Sequence, residues 1–193
     1  MTMKIALDIE STLADIPAAF RDEYENRHGE KPDTSTTWGF ENVSYGADEF
    51  HKITQQIWEE NSLKILPTED PISIPTRKIY ETANGVDLVT GRQGVEEKMR
   101  KWADFQDVWY DDLYSVSSQE EKADLGYDVI IDDSPRHIDA LHDDQYLFLY
   151  NQPYNRNYNL PKNASRVDNL HQCELSLLEV RTKDDRFKSA QHR

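Results

Sequence analysis

The stretch Lys4-Ile5-Ala6-Leu7-Asp8-Ile9-Glu10-Ser11-Thr12 decides how the rest of the chain is read. A short apolar run without polar alternation is the pattern of a strand buried on both faces. This one runs out in acids and a Ser-Thr turn, so it delivers carboxylates to its C-terminal end, where open α/β sheets place their chemistry. Similar runs follow at Val86 to Val89, stopping at Thr90-Gly91-Arg92, and at Asp128 to Ile131, stopping at Asp132-Asp133-Ser134-Pro135. Tyr146 to Tyr150 is a fourth, ending at Asn151-Gln152-Pro153, and Leu113 to Val116 a weaker fifth. Between them lie helical patterns at Gly94 to Phe105, Gln119 to Leu125 with Gly126 as C-cap, Pro135 to His142, and Val167 to Val180. Strands alternating with helices predict an α/β fold, a parallel sheet with right-handed crossovers and helices on both faces.

The interval 14–75 breaks that rhythm. It holds two amphipathic helical segments, Leu13 to His28 and Ala47 to Asn61, joined by a Thr-rich linker with Trp38 and Phe40. We read it as a small helical cap inserted after the first strand and lying over the strand ends; ordinary crossover helices are the alternative. The core is then 1–13 with 76–182, and 183–193, polar and charged, is expected to be a flexible tail.

A chain of 193 residues suits one core plus such an insertion. Its 37% hydrophobic and 10% aromatic content supports a buried core despite a mean hydropathy of -0.85. With 37 acidic against 22 basic residues the formal charge is -15, which argues against polymeric nucleic acid or an anionic membrane as partner. The acids are spread along the chain, a surface suited to high salt. The single cysteine, Cys173, excludes an intrachain disulfide and a thiolate zinc site. No stretch approaches the roughly 20 apolar residues of a membrane span, and no signal-peptide pattern is seen, so a cytoplasmic protein is expected.

The chemistry-bearing residues come in a fixed order: Asp8, Glu10 and Thr12 after the first strand; Thr90, Gly91 and Arg92 after the second; Lys122 on a short helix; Asp132 and Asp133 after a later strand. Carboxylates converging in one crevice repel strongly at ~4 Å unless a cation intervenes, and oxygen-only donors suit Mg²⁺ rather than zinc. The order resembles the haloacid dehalogenase superfamily of phosphotransferases, whose motifs are DxDx(T/V), a Thr or Ser after the second strand, a Lys, and a paired acidic motif. The resemblance covers the whole core and implies a Rossmann-like parallel sheet with the first strand central. It implies Asp8 as nucleophile forming an aspartyl-phosphate, Glu10 as acid/base, and Thr90 and Lys122 as groups on the phosphoryl oxygens. It further implies Mg²⁺ held by Asp8, the Glu10 backbone carbonyl and Asp132, with Asp133 behind them.

One position departs from the pattern, which has Asp where this chain has Glu10. An extra methylene lengthens the reach by more than ~1 Å, enough to cost about 10²-fold in rate if the proton donor is misplaced. An acid there still favours phosphate chemistry over dehalogenation. A binding protein with weak turnover is the competing reading. Other readings stay open for single residues. Lys98, Lys101 and Lys122 all lie on polar helices, with Lys122 preferred for its short interval to Asp132, and Asp133 suits either the metal site or the N-cap of the helix at Pro135.

The helical insertion, the Thr-Gly-Arg motif and the late run Leu149 to Arg156 look similar to the 5'(3')-deoxyribonucleotidases of the type C group. That likeness implies a small-molecule phosphomonoester, a nucleoside monophosphate, as substrate, with a sugar phosphate as alternative. Trp38 and Phe40 are candidate stacking faces for a base, and Arg92, Gly91 and Thr90 would bind phosphate. Trp58, at helical spacing from Ile53 and Ile57, reads as core, and Arg156 either approaches the acidic site, braces its loop by salt bridging, or sits in a plain surface turn. The oligomeric state stays open, a homodimer included.

Overall fold

Burial on both faces makes β1 (Ile5–Leu7) a strand: Ile5 and Leu7 enter one apolar layer and Ala6 the other, all fully buried. The structure is a computed structural model that describes residues 3–40, 42–83 and 85–188. After β1 the chain forms α1 (Ile16–His28), α2 (Gly46–Asn61) and α3 (Ser73–Thr82), then β2 (Val86–Thr90), α4 (Glu96–Phe105) and β3 (Leu113–Ser115). It continues through α5 (Gln119–Asp124), β4 (Val129–Asp132), α6 (His137–Ala140), β5 (Tyr146–Tyr150), β6 (Ala164–Val167), α7 (Leu170–Lys183) and α8 (Asp185–Lys188).

Every pairing is parallel, and the six strands lie in the order β3-β2-β1-β4-β5-β6, with Ile5 opposite Val86 on one side and Val129 on the other. The expected α/β sheet with a central first strand is therefore what forms. The period-2 alternation of strand side chains fills two layers: Leu7, Leu88 and Phe148 lie in one with Met99 and Leu177, and Val89, Ile130 and Leu149 in the other with Ala123. Central position puts the carboxyl end of β1 between the ends of β2 and β4, which brings all the acidic motifs to one edge of the sheet.

The chain leaves and re-enters the core through two adjoining strands of linker. Thr68 N donates to the Leu13 carbonyl at 2.8 Å and Asp15 N to the Leu66 carbonyl at 2.8 Å. Between them α1 and α2 pack on each other. Asp15 caps α1 by accepting from Ala18 N at 3.0 Å, and Gly29 takes the left-handed φ of 76° that ends it. On α2, Ile53, Ile57 and Trp58 form the buried face, and Trp58 meets Trp102 of α4 edge-on at 6.1 Å, worth about 0.5–1.5 kcal/mol beyond simple burial.

Four elements differ from the sequence reading. The expected boundary at 75/76 falls inside α3, which packs against α7, while Ala14 bridges to Pro67 ahead of it. The helix expected over Pro135 to His142 is only α6: Leu141 turns extended, and beyond it Gln145 enters the interior, donating to the Ala123 and Tyr127 carbonyls at 2.8 and 2.9 Å. The pattern starting at Val167 splits into the edge strand β6 and α7, whose N-cap Asn169 accepts from Gln172 N at 2.9 Å. Residues 183–188, expected in a flexible tail, are α7's end and α8, where Phe187 is buried and Arg186 bonds the Asp144 carbonyl at 2.7 Å. The rest of the expected tail, 189–193, lies outside the described residues.

Candidate active site

The turn after β1 is what aims Asp8. Asp8 N donates to the Ile131 carbonyl at 2.9 Å, and Leu13 N and Ala14 N both return to the Ile9 carbonyl. Within the turn Ser11 sits at φ 64°, a left-handed conformation that costs a non-glycine residue of order 1 kcal/mol, and Gln152 holds it by donating to the Ser11 carbonyl at 2.7 Å. Thr90, fully buried at the end of β2, accepts the Arg92 amide on its hydroxyl at 3.1 Å, which leaves its own proton for another acceptor.

Lys122 comes from α5, whose first turn is fixed by the Ser118 cap. Its Nζ is 3.0 Å from Asp8 Oδ1 and 2.5 Å from Asp132 Oδ2, with all three side chains buried. Lys101, by contrast, is an exposed partner of Glu97. Asp132 also accepts from Ser134 N at 2.8 Å and meets His137 Nε2 at 2.8 Å. Asp133 does not cap a helix: its carboxylate takes the Tyr154 hydroxyl, and its carbonyl takes Asn155 Nδ2 at 2.8 Å. One carboxylate oxygen from each of Asp8, Asp132 and Asp133 lies within 4.8 Å of the others.

The electrostatics follow from burial. Desolvation, reinforced by the charge of Asp132, pushes the Asp8 carboxyl well above the usual carboxylate range, with Lys122 opposing. Burial and Asp132 likewise push Asp133 up to about 8. Asp132 is the exception, since His137 and Lys122 overcome burial and hold it low. Desolvation works against the Lys122 ammonium, but Asp132 and Asp8 raise its affinity for the proton above the ordinary lysine value. Three buried carboxylates around one ammonium form a donor set short of positive charge, the chemistry that a hard divalent cation with oxygen ligands satisfies. The buried hydroxyl of Ser134, which finds no partner among the described residues, adds a further oxygen on the same wall.

Glu10 lines the same crevice as Asp8 and is held by donors from outside its own turn. Its Oε1 accepts both Trp58 Nε1 at 2.8 Å and Arg92 Nε at 2.7 Å. Arg92 continues across to α2, with NH2 2.8 Å from Thr54 Oγ1 and NH1 3.3 Å from Gln55 Oε1. Arg92, read from sequence as a phosphate ligand beside Gly91, thus uses its fork on Glu10 and the inserted helix, because a guanidinium satisfies several acceptors in one plane. Trp58 is core, as expected, and also touches the site.

A cavity of about 1010 Å³ opens at these groups, lined by the carboxylates, Gly91 and Lys122 together with residues of α1, α2 and the segment joining them. Trp38 and Phe40 both line it. Trp38 stands edge-on to Tyr154 at 5.5 Å with the Arg136 guanidinium 5.9 Å from its ring, and Phe40 packs on Phe50 at 4.6 Å. Arg156 is exposed; Tyr154 and Asn155 of the same run make the contacts with Asp133 instead. Sequence reasoning missed His137, Tyr154 and the Trp58 indole. Only Tyr154 carried a signal, lying inside the 151–156 run already noted.

The six-stranded parallel sheet with helices is a haloacid dehalogenase-like α/β fold, and solved structures share it. Over 93% of this chain and 100% of the other, it superposes on CbbY from Rhodobacter sphaeroides in complex with phosphate, at 14% identity and a TM-score of 0.57. A mutant of the same protein holding xylulose-(1,5)-bisphosphate matches over 89% and 96% at 13% identity, TM-score 0.55. A haloacid dehalogenase-like family hydrolase from Xanthomonas campestris matches over 93% and 96% at 10% identity, TM-score 0.54. No protein-family model and no curated protein matches the chain. No helix among the described residues is long and apolar enough to cross a membrane.

Proposed function

We propose that this chain is a Mg²⁺-dependent phosphomonoesterase of the haloacid dehalogenase type that hydrolyses nucleoside or deoxynucleoside monophosphates. The observation that carries the reading is the buried contact of Lys122 with both Asp8 and Asp132, beside Asp133 and under a cavity roomy enough for a nucleotide. Asp8, Asp132 and Asp133 would hold Mg²⁺ with the Glu10 carbonyl, and the ion would supply positive charge at the phosphoryl oxygens.

The chain's own groups divide the remaining work. An Asp8 oxygen attacks phosphorus as the ester P–O bond breaks, and the bonding pair leaves on the alkoxide, which takes a proton from Glu10. Water then attacks phosphorus, gives its proton back to Glu10, and releases Asp8 and inorganic phosphate. Lys122 offsets charge on Asp8 and the transferring group, and the Thr90 hydroxyl donates to a phosphoryl oxygen. The inserted segment between the paired linkers acts as the cap over this crevice, with Trp38 and Phe40 as the apolar side of a base slot.

The test is phosphate release from a panel of nucleoside, deoxynucleoside and sugar monophosphates with Mg²⁺ or EDTA. Metal-dependent release confined to nucleotides is expected, and Asp8→Asn should abolish it with circular dichroism unchanged. Preference for sugar phosphates, the chemistry of the ligand bound to the CbbY mutant, would move the substrate while keeping the reaction.

A further inference from the structure

We infer that Arg92 and Trp58 are positioning residues that aim Glu10 at the leaving group, and that glutamate stands at position 10 because its length is what they require. The inference rests on the phosphomonoesterase reading. Both donors land on the same oxygen: Trp58 Nε1 at 2.8 Å and Arg92 Nε at 2.7 Å meet Oε1, which leaves Oε2 as the atom that exchanges the proton. Neither donor can follow a shorter side chain. The Trp58 indole is fully buried and wedged against Trp102, and the Arg92 guanidinium is pinned by Thr54 and Gln55 of α2 and by the His51 carbonyl at 3.5 Å.

An aspartate would withdraw its carboxylate by more than ~1 Å, taking both contacts beyond hydrogen-bond reach and leaving a buried indole N–H and a largely buried guanidinium without their acceptor. The acid/base is thus located by the inserted helix α2 and the β2 loop rather than by its own turn. The expected sign of a familiar substitution reverses: Glu10→Asp, which restores the superfamily's usual acid, slows this protein.

The experiment compares Glu10→Asp, Arg92→Lys and Trp58→Phe on two esters, an alkyl phosphate (the best nucleotide or sugar phosphate of the panel) and p-nitrophenyl phosphate, whose phenolate leaves without needing a proton. The readout is kcat/KM, which reports the steps up to aspartyl-phosphate. Each variant is expected to lose at least ~10-fold on the alkyl ester and under ~3-fold on the aryl ester, because misaligned acid catalysis affects only the poor leaving group. Glu10→Asp combined with Arg92→Lys should be no slower than the worse single variant, as residues acting through one carboxylate are not additive. The Trp58 indole proton resonance, assigned by its loss in Trp58→Phe, should shift in Glu10→Asp. The inference is overturned if Glu10→Asp matches or exceeds the native rate, if both esters lose equally, or if the indole resonance stays in place. Should the native protein release phosphate from neither ester, the phosphomonoesterase reading falls, and the indole resonance alone then decides whether the clip on Glu10 exists.

Discussion

Lys122 holds two carboxylates at once, 3.0 Å from Asp8 and 2.5 Å from Asp132, and each would keep its desolvation cost if that ammonium were gone. Removing one partner of a buried ion pair destabilises by roughly 3–5 kcal/mol. Lys122→Met should therefore lower the denaturant midpoint and reduce phosphate release by at least ~10²-fold, whereas Lys101→Met changes neither; equal behaviour in the two assays would refute the assignment. That Asp8, Asp132 and Lys122 would lie together could be read from the sequence, because each follows, or lies a short interval from, a buried apolar run whose end the parallel sheet places at one edge. His137 and Tyr154 were not legible, since nothing local distinguishes an imidazole aimed at Asp132 from a solvated one. Glu10 was legible as an acid and illegible as to its partners, because Trp58 lies 48 residues away in sequence.

Among elements, the apolar strands and the weaker Leu113 to Val116 run were read from the sequence, and the polar edge strand β6 was not. β6 is the edge strand Ala164-Ser165-Arg166-Val167, partly exposed through most of its length, so it carries no apolar run to find. α3 was missed because Pro75 sits in its first turn, where proline is tolerated, and the expected 75/76 boundary was drawn through it. α5 is a short helix with one task, carrying Lys122, and its geometry depends on Ser118 accepting from Glu121 N at 3.1 Å. Ser118→Ala should cost about 1 kcal/mol and lower kcat more than KM, since the lysine acts on the transferring group; a chemical-denaturation curve and initial rates together check it. The loop after β5 depends similarly on Asn155, fully buried and bonded to the Asp133 and Tyr150 carbonyls at 2.8 and 2.7 Å. Asn155→Ala leaves both carbonyls short of a donor and should lower stability by about 1–3 kcal/mol in the same denaturation assay.

For the whole molecule, charge sets the response to solution conditions. Burial raises Asp133 to about 8 and pushes Asp8 up, so the folded chain retains protons that the unfolded chain releases above the ordinary carboxylate value. Metal-free stability is then greatest at low pH within this window and declines as pH rises toward about 8, while a bound divalent cation removes the decline. Thermal melts in EDTA should show Tm falling from pH 6 to pH 9, flat with Mg²⁺; parallel slopes would remove the cation from these carboxylates. A formal charge of -15 also predicts that Tm rises with KCl toward molar concentration, and a constant Tm would discard the reading of a salt-adapted surface.

The central place of β1 also bears on the order in which the chain can assemble. Ile5 pairs with Val86 and Val129, so the strand made first must wait for partners synthesised about 80 and 120 residues later. On the ribosome, α1 and α2 emerge long before the sheet that supports them can close, and no nascent chain lacking β4 can bury β1 on both sides. The acids at this edge of the sheet therefore come together late, as β4 adds itself to the sheet, and closing the sheet and assembling the acidic cluster are one event.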